Sequence, residues 1–165
     1  MHAIYSYGGQ PTARAALILS ALLFQRPGNI RQMEWGWIDF DKSVLTIPSR
    51  DMKLRIHQKI NGRPHLVPLA PQAISALKEL HPLTGEGRFV FPSLITTQRP
   101  ISDNTVNLAS RRMGIGKDEM TAHGFRATAR TMPAERIPGI SDDVIEAQLA
   151  HTKSGPKGSA YDRIE

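Results

Sequence analysis

Hydrophobic residues form one dense run near the start of the chain. Residues 12–24 include AALILSALLF and predict a buried helix. The segment RPGN at 26–29 breaks it, because proline and glycine together interrupt helices. A second helix is predicted from about Asn29 to Trp35. The apolar run is too short to span a bilayer, and no small-residue cleavage pattern follows it, so we predict neither a membrane span nor a signal peptide.

Alternating apolar and polar positions then predict one small sheet. SVLTIPS, residues 43–49, is rich in β-branched residues and ends at a proline, as strands often do. KLRIHQKI and RPHLVPL each alternate, with Leu54 and Ile56 in the first and His65 and Val67 in the second. The dipeptide Asn61-Gly62 between them suits a tight hairpin turn. We therefore expect three short antiparallel strands.

Helical patterns fill the rest of the chain. One helix is predicted to start with Pro71 at its first position, and the next has Ser102 as its cap and Gly114 after its end. A third has Thr121 as its cap, with Pro133 ending or kinking the helix, and a fourth has Ser141 as its cap and His151 at its end. The sequence thus predicts a mainly α fold with a small three-stranded antiparallel sheet, of the α+β class.

Composition and net charge limit the classes of partner that the chain is expected to bind. The 165 residues suit one domain with a proper core. The net charge is +6 and the sequence pI is about 10.0, which favours a polyanion, nucleic acid before membrane. There are no cysteines, which excludes disulfides and thiolate metal sites and fits a cytosolic protein.

Common catalytic motifs are missing, and three features stand out instead. The chain has no phosphate-binding glycine loop, no HExxH helix or zinc spacing, and no GxSxG elbow. Arg26 lies at a helix break, and His123 and Arg126 lie one helical turn apart. His151 is followed ten residues later by Tyr161. Taken singly, each has an ordinary structural explanation, such as a snorkelling arginine or a histidine at a helix end.

The order of these residues resembles the catalytic domain of tyrosine recombinases, the phage integrase family. The segments RPGNIRQMEWGWIDFD, IPSRDMK, RPHLVPLAPQA, FPS, MTAHGFRATA, VIEAQLAH and AYDR look like those of bacterial prophage and genomic-island integrases, in the same order. The resemblance implies the fold of DNA breaking-rejoining enzymes. It implies site-specific recombination of double-stranded DNA, for integration or excision of a mobile element, through a 3′-phosphotyrosyl intermediate.

The resemblance also implies a role for each candidate residue. The two family arginines would grip the phosphate, and the remaining positions would supply the nucleophile and move protons. The matching positions are Arg26 and Arg126 for the arginines, Lys53 for the general acid, His123 for the base, His151 for a donor to the phosphate and Tyr161 for the nucleophile. The cations would take the place of a metal, so no metal or cofactor is expected, and neither is a membrane or a small-molecule substrate.

Some alternatives stay open. Lys59, near the Asn61-Gly62 turn, rivals Lys53 as the general acid, although the match of "MK" favours Lys53. Asn29 stands where the family usually has a glutamate. The chain could also be a catalytically silent DNA-binding remnant or regulator, or a topoisomerase-like nicking-closing enzyme. An RNA-binding module ranks last, because no aromatic platform motif appears.

We interpret residues 1–165 as one catalytic domain, without the N-terminal DNA-binding domains and most of the C-terminal tail of full integrases. The full-length protein is expected to self-associate on DNA. Alone, the chain is expected to be weakly active or inactive. It should bind DNA weakly and with little sequence preference, because the N-terminal domains that would hold the other side of the DNA are missing. Gel shifts at physiological salt test this, and tight, site-specific binding would contradict it.

Overall fold

The computed structural model describes residues 2–54 and 56–150, which form a mostly helical fold with one small sheet. The helices are α1 His2–Tyr5, α2 Pro11–Leu23, α3 Pro27–Arg31, α4 Ile56–Asn61, α5 Pro71–Thr84, α6 Thr105–Arg112, α7 Gly124–Arg136 and α8 Asp142–Gln148. The strands are β1 Ile38–Asp39, β2 Val44–Ile47 and β3 His65–Pro68. This confirms the predicted class.

Helix α2 lies at the centre of the core. Leu17 and Leu19 are fully buried, and the whole run from Ala15 to Ser20 is shielded from solvent. Since such a helix has almost no polar face, it must be covered on several sides. It packs against α5 and α6, and also contacts α1 and α3. In the described parts of the chain, no helix has both the length and the apolar character that crossing a bilayer requires.

The sheet is antiparallel with the strand order β1-β2-β3. Leu45 pairs with Val67, and Ile47 pairs with His65. Paired residues point to the same face, and Leu45, Ile47 and Val67 are all buried. His65 therefore faces the core side of the sheet.

The predicted hairpin across Asn61-Gly62 is wrong. Residues 56–61 form helix α4, so Asn61 ends a helix. β3 pairs with β2 instead, and the third strand is β1, which the sequence pattern did not predict. The alternation that suggested a strand was misleading because Ile56 and Ile60, four residues apart, lie on one exposed face of α4.

Several predicted helix ends need small corrections. α3 runs from Pro27 to Arg31 instead of from about Asn29 to Trp35. Trp35–Trp37 forms a separate turn of 3-10 helix. α6 begins after Asn104 rather than Ser102. Gly114 follows its end as predicted, and its φ is positive, 82°. Thr121 accepts a hydrogen bond from the Gly124 amide at 3.1 Å, so it caps the turn that leads into α7.

Helices α7 and α8 pack together at one side of the core. Ala129, Ile145 and Leu149 form a small buried cluster, against which Phe24 and Ile140 pack. Phe24 directly follows α2, so this cluster ties the end of the central helix to the α7–α8 pair. Pro133 lies inside α7, which continues to Arg136.

We expect Leu17→Ala to lower the free energy of unfolding by about 2–5 kcal/mol, because it leaves a cavity in the fully buried centre of α2. Leu83→Ala on α5 is the matched control: Leu83 is 65% exposed, and its truncation should cost less than about 0.5 kcal/mol. Urea unfolding measures both. Equal losses from the two substitutions would contradict the central position of α2.

Candidate functional site

The break between α2 and α3 brings Arg26 to the end of α8. Phe24 ends α2 in the left-handed conformation with φ 58°, and Pro27 begins α3, so Arg26 lies on the short link between them. Its Nη2 donates to the carbonyl of Ala150 at 3.4 Å. Ala150 also has a positive φ, 50°. Left-handed backbone is costly for residues other than glycine, and such conformations concentrate at functional sites.

Arg126, in the first turn of α7, joins the same location. Its side chain is buried, with Nη1 donating to the carbonyl of Phe24 and Nη2 to the carbonyl of Leu149, both at 2.7 Å. One guanidinium thus connects the end of α2 to the end of α8. The structure thus brings the side chains of Arg26 and Arg126 to the same helix end, while their catalytic role stays a prediction.

The two arginines influence each other electrostatically. Burial, and after it the charge of Arg26, lowers the pKa of Arg126, Glu146 opposes both, and the result is a pKa of about 10. Burial also lowers the pKa of Arg26. Both groups stay protonated at neutral pH, so two partly desolvated positive charges lie side by side. Such a pair attracts an anion.

His123 lies immediately before α7 and is exposed. The amide of Arg126 donates to the His123 carbonyl at 3.0 Å, so the two residues belong to one turn, as the spacing predicts. Their main chains are therefore held together, whereas Arg126 turns inward and His123 stays at the surface.

The two candidate lysines are both exposed. Lys53 follows a second 3-10 turn, Ser49–Asp51. Lys59 lies on α4, where its carbonyl accepts a hydrogen bond from the Ser49 hydroxyl at 3.0 Å. Asn29 of α3 is buried and donates to the carbonyl of Asp51 at 2.8 Å. The segment before Lys53 is therefore attached to the helix that follows Arg26. The choice between the two lysines stays a prediction.

His151 and Tyr161 lie outside the described residues, so their placement stays a prediction. Ala150, which accepts the hydrogen bond from Arg26, is the residue directly before His151 in the chain.

His65 is a residue of this site that the sequence reasoning did not select. Burial lowers its pKa, and the charges of Arg26 and Arg126 lower it further, while a backbone interaction with Gln148 raises it. Its Nε2 is shielded from solvent and makes no hydrogen bond. The signal was present in RPHLVPL, because the alternation places His65 on the same face as buried Val67.

The sequence of this chain is similar to known proteins of one family. A profile of the phage integrase family matches residues 5–163. The chain is 34% identical over 165 residues to the prophage integrase IntA of Escherichia coli K12, covering 100% of this chain and 38% of that protein. It is 36% identical over 163 residues to the integrase of Enterobacteria phage P4, covering 94% of this chain and 37% of that relative.

The chain belongs to the phage integrase family. Among solved structures, the catalytic core of lambda integrase matches with a TM-score of 0.63 at 21% identity, covering 94% of this chain and 90% of that one. XerA recombinase matches with a TM-score of 0.67 at 18% identity, covering 92% of this chain and 52% of that one. These similarities confirm the expected fold. This integrase-family chain spans well under half the length of the two relatives named, 38% and 37%.

The lowered pKa of His65 predicts a pH dependence of stability. In the unfolded chain the ring protonates near its ordinary pKa of about 6.5, and in the folded chain only at lower pH. Below about pH 6.5 the unfolded state thus binds more protons, so the contribution is present above that pH and is lost as pH falls towards the folded pKa. His65→Gln should show a smaller loss of unfolding free energy between pH 7.5 and 5.5 than the unsubstituted chain.

Urea unfolding at the two pH values measures this difference. His57→Gln is the control, since His57 is exposed on α4 and this variant should keep the original pH dependence. Parallel pH profiles for the chain with and without His65 would contradict the inferred environment of the ring.

Proposed function

We propose that this chain is the catalytic domain of a tyrosine-type site-specific recombinase, which cuts and rejoins double-stranded DNA to integrate or excise a mobile element. The observation that carries the proposal is the meeting of Arg26 and Arg126 at the end of α8, in a chain that belongs to the phage integrase family.

The arginine pair suits a DNA phosphate. Guanidinium groups present planar sets of donors that match the oxygens of a phosphodiester, which a lysine ammonium does less well. The transition state of strand cleavage carries more negative charge than the substrate, so donors fixed in advance stabilise it more. Bonds to the carbonyls of Phe24, Leu149 and Ala150 orient both guanidiniums before DNA arrives.

The remaining candidate residues would complete the reaction. The phenol oxygen of Tyr161 attacks the phosphorus, forms a 3′-phosphotyrosyl bond and displaces the 5′-oxygen. His123 takes the phenol proton, Lys53 or its rival Lys59 gives a proton to the departing 5′-oxygen, and His151 donates to a phosphate oxygen. Rejoining is the same step reversed, with a 5′-hydroxyl as nucleophile, so the bond energy is kept. No metal or other cofactor takes part.

We propose that the longer protein self-associates on DNA. Solved structures with this fold include a lambda integrase dimer bound to a core site and a lambda integrase tetramer bound to a Holliday junction. Recombination joins two duplexes and needs several active sites, so the proposed chemistry requires such an assembly. Bacterial cytoplasm, where chromosomal and prophage DNA lies, is the proposed compartment.

Covalent capture tests the chemistry. The chain is incubated with nicked duplexes whose central sequence is randomised, so that a cleaved strand loses its short 5′-hydroxyl product and cannot be rejoined. A protein–DNA adduct that survives denaturation is expected, and Tyr161→Phe should abolish it because the phenol oxygen is the linking atom. Sequencing the captured DNA identifies the preferred site.

The arginine pair is tested in the same assay. Arg126→Lys should lower the adduct yield roughly 10²- to 10³-fold, because fixed donors to the developing charge are lost. Arg130→Lys is the matched control, one turn later on α7, exposed and paired with Glu146 at 3.4 Å, and should change the yield less than about twofold. DNA binding without any adduct by a longer protein, which also carries the flanking domains of full integrases, would favour the silent DNA-binding remnant.

A further inference from the structure

His65 lies near enough to the arginine pair for both charges to act on its ring. It begins β3, pairs with buried Ile47 and turns its ring to the core side of the sheet. Its Nε2 is fully shielded and makes no hydrogen bond, which is uncommon for a buried polar atom and destabilises the fold. An apolar side chain would fit this face of the sheet at less cost, so the imidazole calls for an explanation.

Burial lowers the pKa of His65 most, and two neighbouring positive charges lower it further, so the ring stays neutral without DNA. The charges that act on it are those of Arg26, from the link between α2 and α3, and Arg126, from α7. Glu146 of α8 acts on Arg126. A third positive charge beside two guanidiniums is unfavourable until an anion compensates for them.

We propose that His65 is a positioning residue of the phosphate site, which takes up a proton when a DNA phosphodiester binds to Arg26 and Arg126 and then donates from Nε2 to the main-chain carbonyl of Gln148. The proposal rests on the proposed function, because it needs a phosphate at the arginine pair.

The carbonyl of Gln148 is suited to this second hydrogen bond. It accepts one from the side chain of Gln25 at 2.8 Å, and a carbonyl oxygen has two lone pairs. A neutral imidazole carries a proton on one nitrogen only, so protonation guarantees a donor at Nε2 whichever tautomer precedes it. Because Nε2 is shielded from solvent, this nitrogen acts inside the fold and does not meet the DNA.

The effect would reach both arginines through the end of α8. The two carbonyls after Gln148, those of Leu149 and Ala150, accept from Arg126 and Arg26 respectively. Fixing the carbonyl of Gln148 therefore steadies the acceptors that orient the guanidiniums. Phosphate binding and proton uptake favour each other, because the phosphate offsets the arginine charges that oppose protonation of His65.

Histidine ring titration by ¹⁵N NMR on the 165-residue chain tests the proposal. The probe is a mixed-sequence duplex of about 20 base pairs at low salt, where phosphate contacts are strong. The ring signals of His65 are assigned by their loss in His65→Gln, and also by through-bond correlations, so the assignment survives if that variant does not fold. We expect the pKa of His65 to rise by about one pH unit or more at saturating duplex.

Two variants act as controls. In Arg26→Ala the duplex should raise the pKa of His65 much less, because the arginine pair is broken. In His57→Gln, which removes an exposed ring on α4, the full rise should persist. A merely structural role for His65 would leave its pKa unchanged by DNA.

The outcomes separate the two proposals. Duplex binding, seen in the backbone amides, with no change in the pKa of His65 overturns the role of His65 and leaves the proposed function intact. No duplex binding at any residue, even at low salt, overturns the proposed DNA contact and the role of His65 with it.

Discussion

Two guanidinium groups of like charge share one partly buried place, and three main-chain carbonyls hold them there. The carbonyls belong to Phe24, which follows α2, and to Leu149 and Ala150, which follow α8. The last carbonyls of a helix lack partners within it and carry partial negative charge. Arg26 and Arg126 donate to the carbonyls at these helix ends, and the carbonyls offset part of the repulsion between the two guanidiniums. Burial, and after it the charge of Arg26, lowers the pKa of Arg126 to about 10.

This arrangement requires two helices to end at fixed places. Phe24 and Ala150 both have positive φ, 58° and 50°, although neither is glycine. Their conformation turns the chain away from the helix axis and presents carbonyls to the arginines. Phe24 packs against Ala129, Ile145 and Leu149, and this packing offsets the free-energy cost of the left-handed backbone. A small apolar cluster outside the main core therefore sets the geometry of a charged site.

The parts that the sequence predicted well are those governed by local rules. The apolar run and the RPGN break located α2 to within a residue at each end, and the spacing of His123 and Arg126 placed them in one turn. The hairpin failed because strand pairing is a long-range choice: β3 pairs with β2, and residues 56–61 become helical. His65 was missed for the same reason, since only tertiary packing brings its ring within reach of the charges of Arg26 and Arg126 and of Gln148 at the end of α8.

Asn29 stands where the resemblance to integrases led us to expect a glutamate, and it makes a hydrogen bond that an ionised glutamate could not make. Its side-chain amide donates to the carbonyl of Asp51 at 2.8 Å, and an ionised glutamate has no hydrogen to donate there. The asparagine thus attaches the turn before Lys53 to the helix that begins next to Arg26. Because it brings no negative charge into the buried region beside the arginines, their attraction for an anion stays uncompensated from this side. The arginine pair is thereby linked to the segment that carries Lys53 and keeps its positive field, at the cost of greater repulsion between the two guanidiniums.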